Sequence, residues 1–228
     1  AFLKVIPQSI NALAKTKELE IEKIALNAQL TESRMATMMS QIRPHFIYNT
    51  LSTIASMCDV SPVQAKHLTI DFSRYLRQNL SSMTSEESVP FEEELNHVEC
   101  YLKIEKARFR ERLNVVYAIG CRNFDIPPLS VQPLVENAVK HGTSKKEGIS
   151  HLYITTRETD GFYEIEIRDT GVGFDPSLQK NNGDKHIGID NVRQRLKTLC
   201  NGTLTIESTL GVGTTALIQI PKKEEYPK

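Results

Sequence analysis

Apolar side chains recur along this chain in two rhythms, and the change between them divides it. From residue 8 to residue 43 no glycine or proline interrupts a run rich in Ala, Leu, Glu, Lys and Gln, all good helix formers. Within it Ile10, Ala14, Lys17, Ile21, Ile24, Ala28, Thr31, Met35, Met38 and Ile42 repeat at alternating four- and three-residue spacing, the seam of a coiled coil. Lys17 and Thr31 interrupt that seam, so an amphipathic helix packed on its own domain is the alternative. The run lasts roughly five heptads, which favours a helix paired with its own copy.

Pro44 lacks an N–H and crowds the carbonyl of Ser40, which predicts a kink. Helical spacing resumes through Leu51, Ile54 and Met57. Cys58–Pro62 reads as a turn, with Ser61 as N-cap and Pro62 opening the next helix. Val63, Leu68, Phe72, Tyr75, Leu76 and Leu80 carry that helix onward. Two such helices predict a hairpin, and two hairpins a four-helix bundle. The Ser/Thr-rich stretch Ser81–Ser88 reads as a linker.

Beyond it the pattern is mixed. Phe91–Arg112 predicts a helix with Leu95, Val98, Leu102 and Phe109 in one stripe, and Leu113–Ile119 is β-rich. Ile126–Gly142 starts on prolines and ends on a glycine, the punctuation of a helix. Ser150–Glu158 and Gly161–Asp169 alternate with period two around a turn at Asp160-Gly161. A helix at Ile189–Cys200 follows, then strands at Thr203–Ser208 and Thr214–Ile220. The expected fold class is therefore α+β: a helical hairpin, then a two-layer α/β sandwich of five strands and three helices. The expected divisions are a signalling coil at 1–40, a dimerisation hairpin at 41–84 and an α/β domain at 86–224.

Composition removes several function classes. Lys+Arg and Asp+Glu are both 28 in 228 residues, so no net field steers the chain to nucleic acid or an anionic membrane. Cys58, Cys100, Cys121 and Cys200 show no Cys-x-x-Cys spacing, which argues against zinc or a disulfide framework and fits a reducing cytosol. No run approaches the ~18 apolar residues of a membrane span. The chain opens on Ala1 in helical sequence, and we read it as the cytosolic part of something longer.

Three stretches carry candidate chemistry. Asp169-Thr-Gly-Val-Gly173 sets a carboxylate at a strand end beside two glycines, where backbone approaches a ligand closely; alone, such a string is more often a turn. In "ENAVKHG", Asn137, Lys140 and His141 fall at i, i+3 and i+4, on one helix face. An amide oxygen suits Mg²⁺ and a lysine suits phosphate, although a solvated helix face or a Glu136–Lys140 pair explains the same residues. Gly188 opens a helix whose Ile189, Val192, Leu196 and Leu199 are expected to pack inward. Its free N–H groups suit a phosphate, and the alternative is a loop entering a core helix. Arg193, Arg195 and Lys197 could meet phosphates, and read mainly as a charged, solvated face. Taken in order, the three stretches and the polar segment 176–187 describe one nucleotide pocket with a lid.

In that combination the sequence resembles the ATP-binding domain of sensor histidine kinases, of the Bergerat (GHKL) type, and more closely the LytS/YesM branch. The resemblance rests on "QIRPHFIYN" (Gln41–Asn49), "QPLVENAVKHG" (Gln132–Gly142), "DTGVGF" (Asp169–Phe174), and Gly211–Thr214 with Ile220-Pro221. It spans about Ser40 to Pro221. It implies that His45 is the phosphorylated histidine and that Asn137 holds the Mg²⁺ bridging the ATP phosphates, with Lys140 and His141 beside them. It implies that Asp169 accepts a hydrogen bond from the adenine amino group, and that Gly171, Gly173 and Gly188 shape the pocket and lid. It also implies a homodimer, the cytoplasmic portion of a membrane sensor, and a response regulator as partner, often one with a LytTR DNA-binding domain. No direct nucleic-acid contact is expected of this chain.

A neutral imidazole is a nucleophile without a strong base, and phosphoryl transfer depends largely on in-line positioning and charge neutralisation. A bend at Pro44 would turn His45 outward. There are departures from the pattern. Phe46 stands where many kinases place an acidic residue that orients the ring, leaving Asn49 as the nearest substitute. His186 precedes Ile187-Gly188 where some lids read Gly-x-Gly. Pro133 occupies the place of the water-activating glutamate of gyrase-type ATPases, which disfavours plain ATP hydrolysis. The rival readings are a nucleotide-binding dimer that signals by scaffolding alone, and a GHKL ATPase or serine kinase acting on a partner.

Overall fold

A computed structural model describes residues 44–84, 87–175 and 187–222, with single helical positions at 15, 17, 19, 20 and 23. The expected heptad seam (Lys17 excepted, which is helical and exposed), the kink over Ser40 and the lid segment 176–186 lie outside the described residues. The chain divides into two compact units, residues 1–47 and 48–228.

Helix α1 spans Pro44–Val60 and α2 spans Pro62–Thr84. Only Ser61 separates them. Its N–H donates to the Met57 carbonyl (2.8 Å), and its own carbonyl accepts from Ala65 N (3.0 Å). Cys58–Val60 are therefore helical, not a turn, and the break is shorter than the usual antiparallel loop of roughly two to five residues. Among the described residues α1 packs lengthwise on no other element, and its Leu51 and Val60 are exposed. α2 buries Ala65, Leu68, Phe72, Tyr75 and Asn79, spaced three and four apart, against α3 (Phe91–Phe109). Val63, expected inside, is exposed, because the buried stripe of α2 starts one half-turn later at Ala65. The helix runs on to Thr84, through the first half of the expected linker.

A two-stranded ribbon, β1 (Val89–Pro90) with β3 (Asp125–Ile126), precedes the main sheet. The main sheet has five strands: β2 (Leu113–Ile119), β4 (Ser150–Glu158), β5 (Phe162–Asp169), β6 (Thr203–Thr209) and β7 (Gly213–Pro221). Their order is β2-β4-β5-β7-β6; β2 and β4 are parallel and every other pair is antiparallel. Helix α4 (Gln132–Asn137), the π-helical turn Ala138–Thr143 that continues it, and α5 (Ile187–Cys200) complete the helical layer.

Register explains where the core stops. One rung across the sheet reads Thr156–Ile165–Ile218–Leu204, and the next Ile154–Ile167–Ala216–Ile206. The third reads Leu152–Asp169–Thr214–Ser208, polar on three strands of four. The period of two keeps all three rungs on one face, so Asp169 stands at the polar end of an apolar ladder. Ile154, Ile165 and Ile218 are fully buried there, each worth roughly 1.5–3 kcal/mol against exposure. In α5, Val192 and Leu196 are buried as expected, whereas Leu199 is 44% exposed, since the inward stripe steps by four to the half-buried Cys200.

Candidate functional site

The end of β5 is built almost entirely from backbone. Asp169 is buried, and its Oδ1 accepts from Gly171 N at 2.8 Å. Burial raises its carboxyl above the ordinary value, against the N–H groups of Gly171 and Thr214 and the charge of Lys146. Three glycines crowd it. A Cβ on Gly142 would sit 2.9 Å from Asp169 Oδ1, and one on Gly171 would sit 2.1 Å from the Gly142 Cα. On Gly213, at φ 140, it would sit 2.0 Å from the Asp169 carbonyl oxygen. None of these positions accepts a side chain.

The following loop is stitched to the β6–β7 turn. Gly173 has φ 58, and a Cβ there would lie 2.0 Å from the Thr209 carbonyl oxygen. Gly211 N donates to the Val172 carbonyl (2.7 Å). Ser208 Oγ accepts from Phe174 N (2.9 Å) and lies 2.9 Å from Thr214 Oγ1. Thr170 accepts from Lys146 Nζ through its carbonyl and from His151 N through its hydroxyl (3.0 Å).

The other wall is α4 and its π-helical extension. Asn137, half-buried, is the last α-helical residue; Lys140 and His141 are exposed on the widened turn, closed by Ser144 N to the Val139 carbonyl (3.1 Å). Such turns are rare and concentrate at functional sites. The widening alters the phase of the i, i+3, i+4 triplet and brings buried Gly142 down onto Asp169. This glycine serves close approach, not the helix stop expected of it. Glu136 accepts from Gln132 Nε2 (2.8 Å) and Tyr75 Oη (3.3 Å), so its carboxylate faces α2.

The expected residues thus separate into groups. Asp169, Gly171 and Gly173 share one loop, and the turn that follows Asn137 reaches it through Gly142. Gly188 is exposed in the first turn of α5, where an added Cβ would meet nothing within 4 Å. His45 is exposed in the first turn of α1, in the unit 1–47, and Asn49 follows half-buried. Sequence reasoning missed Gly142, Lys146, Ser208, Glu94 and the true role of Arg195. Arg195 does not join a solvated face; it donates to the Pro128 and Leu129 carbonyls.

Among the described residues no cluster of three or more His, Cys, Asp or Glu is arranged for a metal. A single amide ligand at Asn137 fits Mg²⁺, which keeps several waters and is usually shared with substrate phosphates. Asp169 retains acceptor capacity beyond its two N–H partners.

Residues 33–113 match the family described as "Histidine kinase", and residues 129–224 match "Histidine kinase-, DNA gyrase B-, and HSP90-like ATPase". YwpD of Bacillus subtilis (strain 168) is 38% identical over 95% of this chain and 80% of its own length. Sensor histidine kinase YpdA of Escherichia coli (strain K12) is 35% identical over 90% of this chain, and sensor protein LytS of Oceanobacillus iheyensis is 34% identical over 79%. The chain spans only 37% and 32% of those two sensors. The histidine kinase domain of a blue-light activated kinase from Erythrobacter litoralis EL346 shares the fold, with a TM-score of 0.50 at 18% identity, over 86% of this chain and 94% of that one.

Proposed function

Because the chain belongs to the histidine kinase family, in its LytS-like branch, we propose that it is the kinase portion of a longer two-component sensor that phosphorylates His45 from ATP. The unprotonated ring nitrogen of His45 bonds to the γ-phosphorus through its lone pair as the bond to the β–γ bridging oxygen breaks; ADP leaves with that electron pair, and the ring cation loses the proton on its other nitrogen. An aspartate of a response regulator then takes the phosphoryl group. The protein works as a homodimer, in which the exposed apolar positions of α1 are covered. On this reading the chain is the cytoplasmic segment below a membrane input, and its response regulator is one with a LytTR DNA-binding domain.

The observation that supports this reading best is the Asp169 cradle: a buried carboxylate with acceptor capacity to spare, walled by Gly142 and Gly171, with Gly213 against its backbone. Asp169 would accept from the adenine amino group. Asn137 would supply the amide oxygen to Mg²⁺, with Lys140 and His141 near the phosphates and Gly188 at the far wall. When bound, the metal neutralises charge on the phosphates. Asn49, one turn beyond His45, would orient the imidazole.

Incubation of the chain with γ-labelled ATP tests the proposal. The expected product is an acid-labile, base-stable label that His45→Ala removes. Nucleotide binding with no label, or a label that survives His45→Ala, contradicts it.

A further inference from the structure

The start of α4 is held in an unusual way. Its N-cap position is Val131, which has no side-chain acceptor, and no local cap bond forms. The free N–H groups of a helix start need partners. Here they find Glu94, from α3. Its Oε1 accepts from Val131 N (2.9 Å) and Gln132 N (3.2 Å), and its Oε2 from Leu129 N (2.9 Å). Glu94 is 2% exposed. Arg195, half-buried on α5, grips the same turn through the opposite polarity, donating to the carbonyls of Pro128 and Leu129. Leu129 therefore has the peptide groups on both its sides held, and it sits at φ 57, a conformation non-glycine residues seldom adopt.

We infer that Glu94 and Arg195 are positioning residues for nucleotide binding: together they clamp the Pro127–Gln132 turn and fix α4 against α5. The inference rests on the nucleotide reading above. A serine or aspartate at position 131 could reach only the N–H of Leu134, since Pro133 has none, so the three N–H groups that Glu94 binds need an acceptor from outside the turn. Burying a charge for stability alone gains little, since apolar replacement of buried ion pairs is often neutral. What the clamp adds is geometry. It joins three helices at one turn, with Asn137 one and a half turns downstream on α4 and Gly188 two turns upstream of Arg195 on α5. The helix that carries Asn137 and the helix that carries Gly188 are tied to one turn through one carboxylate and one guanidinium. Burial raises the Glu94 carboxyl, and the three N–H groups and the Arg195 charge oppose it. Misplacement by about 1 Å is enough to cost a site of this kind two orders of magnitude.

The test uses the full chain, with ADP affinity by calorimetry, the ATP KM and kcat of autophosphorylation, and Tm for each variant. E94Q keeps the shape but turns an amide N–H₂ toward donors; R195M keeps the stem but loses the donor. Each is expected to weaken ADP and raise KM about tenfold or more. The double variant should be no worse than the weaker single, and R195K should recover part of the loss. Leu204→Ala, in the core of β6, is the control: it lowers Tm and leaves KM within about twofold. Variants that lower Tm as Leu204→Ala does, with ADP affinity and KM unchanged, overturn the clamp and leave only a structural cap. Should E94Q not fold, R195M and R195K decide by the same readouts. Wild-type chain that binds no ADP at all overturns the nucleotide reading, and the clamp's role with it.

Discussion

Asp169 and Glu94 are both buried carboxylates, yet their surroundings differ in kind. Glu94 is enclosed: three backbone N–H groups and a nearby guanidinium occupy it, all supplied by the chain. Asp169 is held by two N–H groups and hemmed by glycines whose Cα atoms form the wall. The first satisfies its lone pairs within the fold; the second keeps acceptor capacity and has only backbone around it. Burial alone does not mark a ligand site. The separating feature is what remains unspent after the protein's own donors are counted.

The largest effect should come from filling the cradle. Gly171→Ala puts a methyl 2.1 Å from the Gly142 Cα, where no rotamer relieves it. We expect a loss of stability of about 3 kcal/mol or more, seen as a fall in Tm together with loss of nucleotide binding. A variant that folds and binds ATP normally would break the contrast between the two carboxylates. Next, Asp169→Asn keeps the volume and loses a charged acceptor. It should weaken ATP about tenfold or more, or about 1.4 kcal/mol, with Tm changed little, measured by calorimetry.

His97 sharpens the comparison from the other side. It lies one turn beyond Glu94 on α3, 2% exposed, with its Nε2 unpartnered and its ring 5.6 Å from Tyr75. Burial lowers it from 6.5 to about 4. The fold favours the neutral ring, so its contribution is full above pH 6.5 and is lost as pH falls toward 4, by about 1.4 kcal/mol per unit and ~3 kcal/mol in all. Asp169 and Glu94, both raised, run the opposite way in acid, so the difference between wild type and His97→Leu isolates the histidine. Denaturant melts from pH 7 to 4.5 should show wild type losing about 2.5 kcal/mol relative to His97→Leu; a constant difference contradicts it.

The smallest effect should be at Gly188. An added Cβ meets nothing in the protein, and alanine is the better helix former by up to about 1 kcal/mol. Gly188→Ala should raise Tm slightly. Weaker ATP binding alongside that gain would show that the glycine serves the ligand and not the fold.

These contrasts were only partly legible in the sequence. β4 occupies the stretch Ser150–Glu158 expected of it, because a half-buried strand writes its period of two directly into residue type. The β1–β3 ribbon has two residues per strand and leaves no period to read. The glycine loop was visible as a motif, but Gly142 read as a helix stop, since its crowding depends on where β5 ends. Arg195 read as solvated for a similar reason: its acceptors lie more than sixty residues away. Glu94 carried a faint signal, an acidic residue one turn before Val98 and adjoining the apolar stripe. The break at Ser61 deceived in the other direction, since Ser-Pro punctuation ended one helix and began another without a loop between them.

The central claim is that the acceptor capacity of Asp169 reads an exocyclic amine. Titrating wild type and Asp169→Asn with ATP and with inosine triphosphate, which carries a carbonyl oxygen where adenine carries the amine, tests it most directly. Wild type should prefer ATP about tenfold or more, and Asp169→Asn should lose the preference. Equal affinity of wild type for the two nucleotides, or a preference that survives Asp169→Asn, would contradict it.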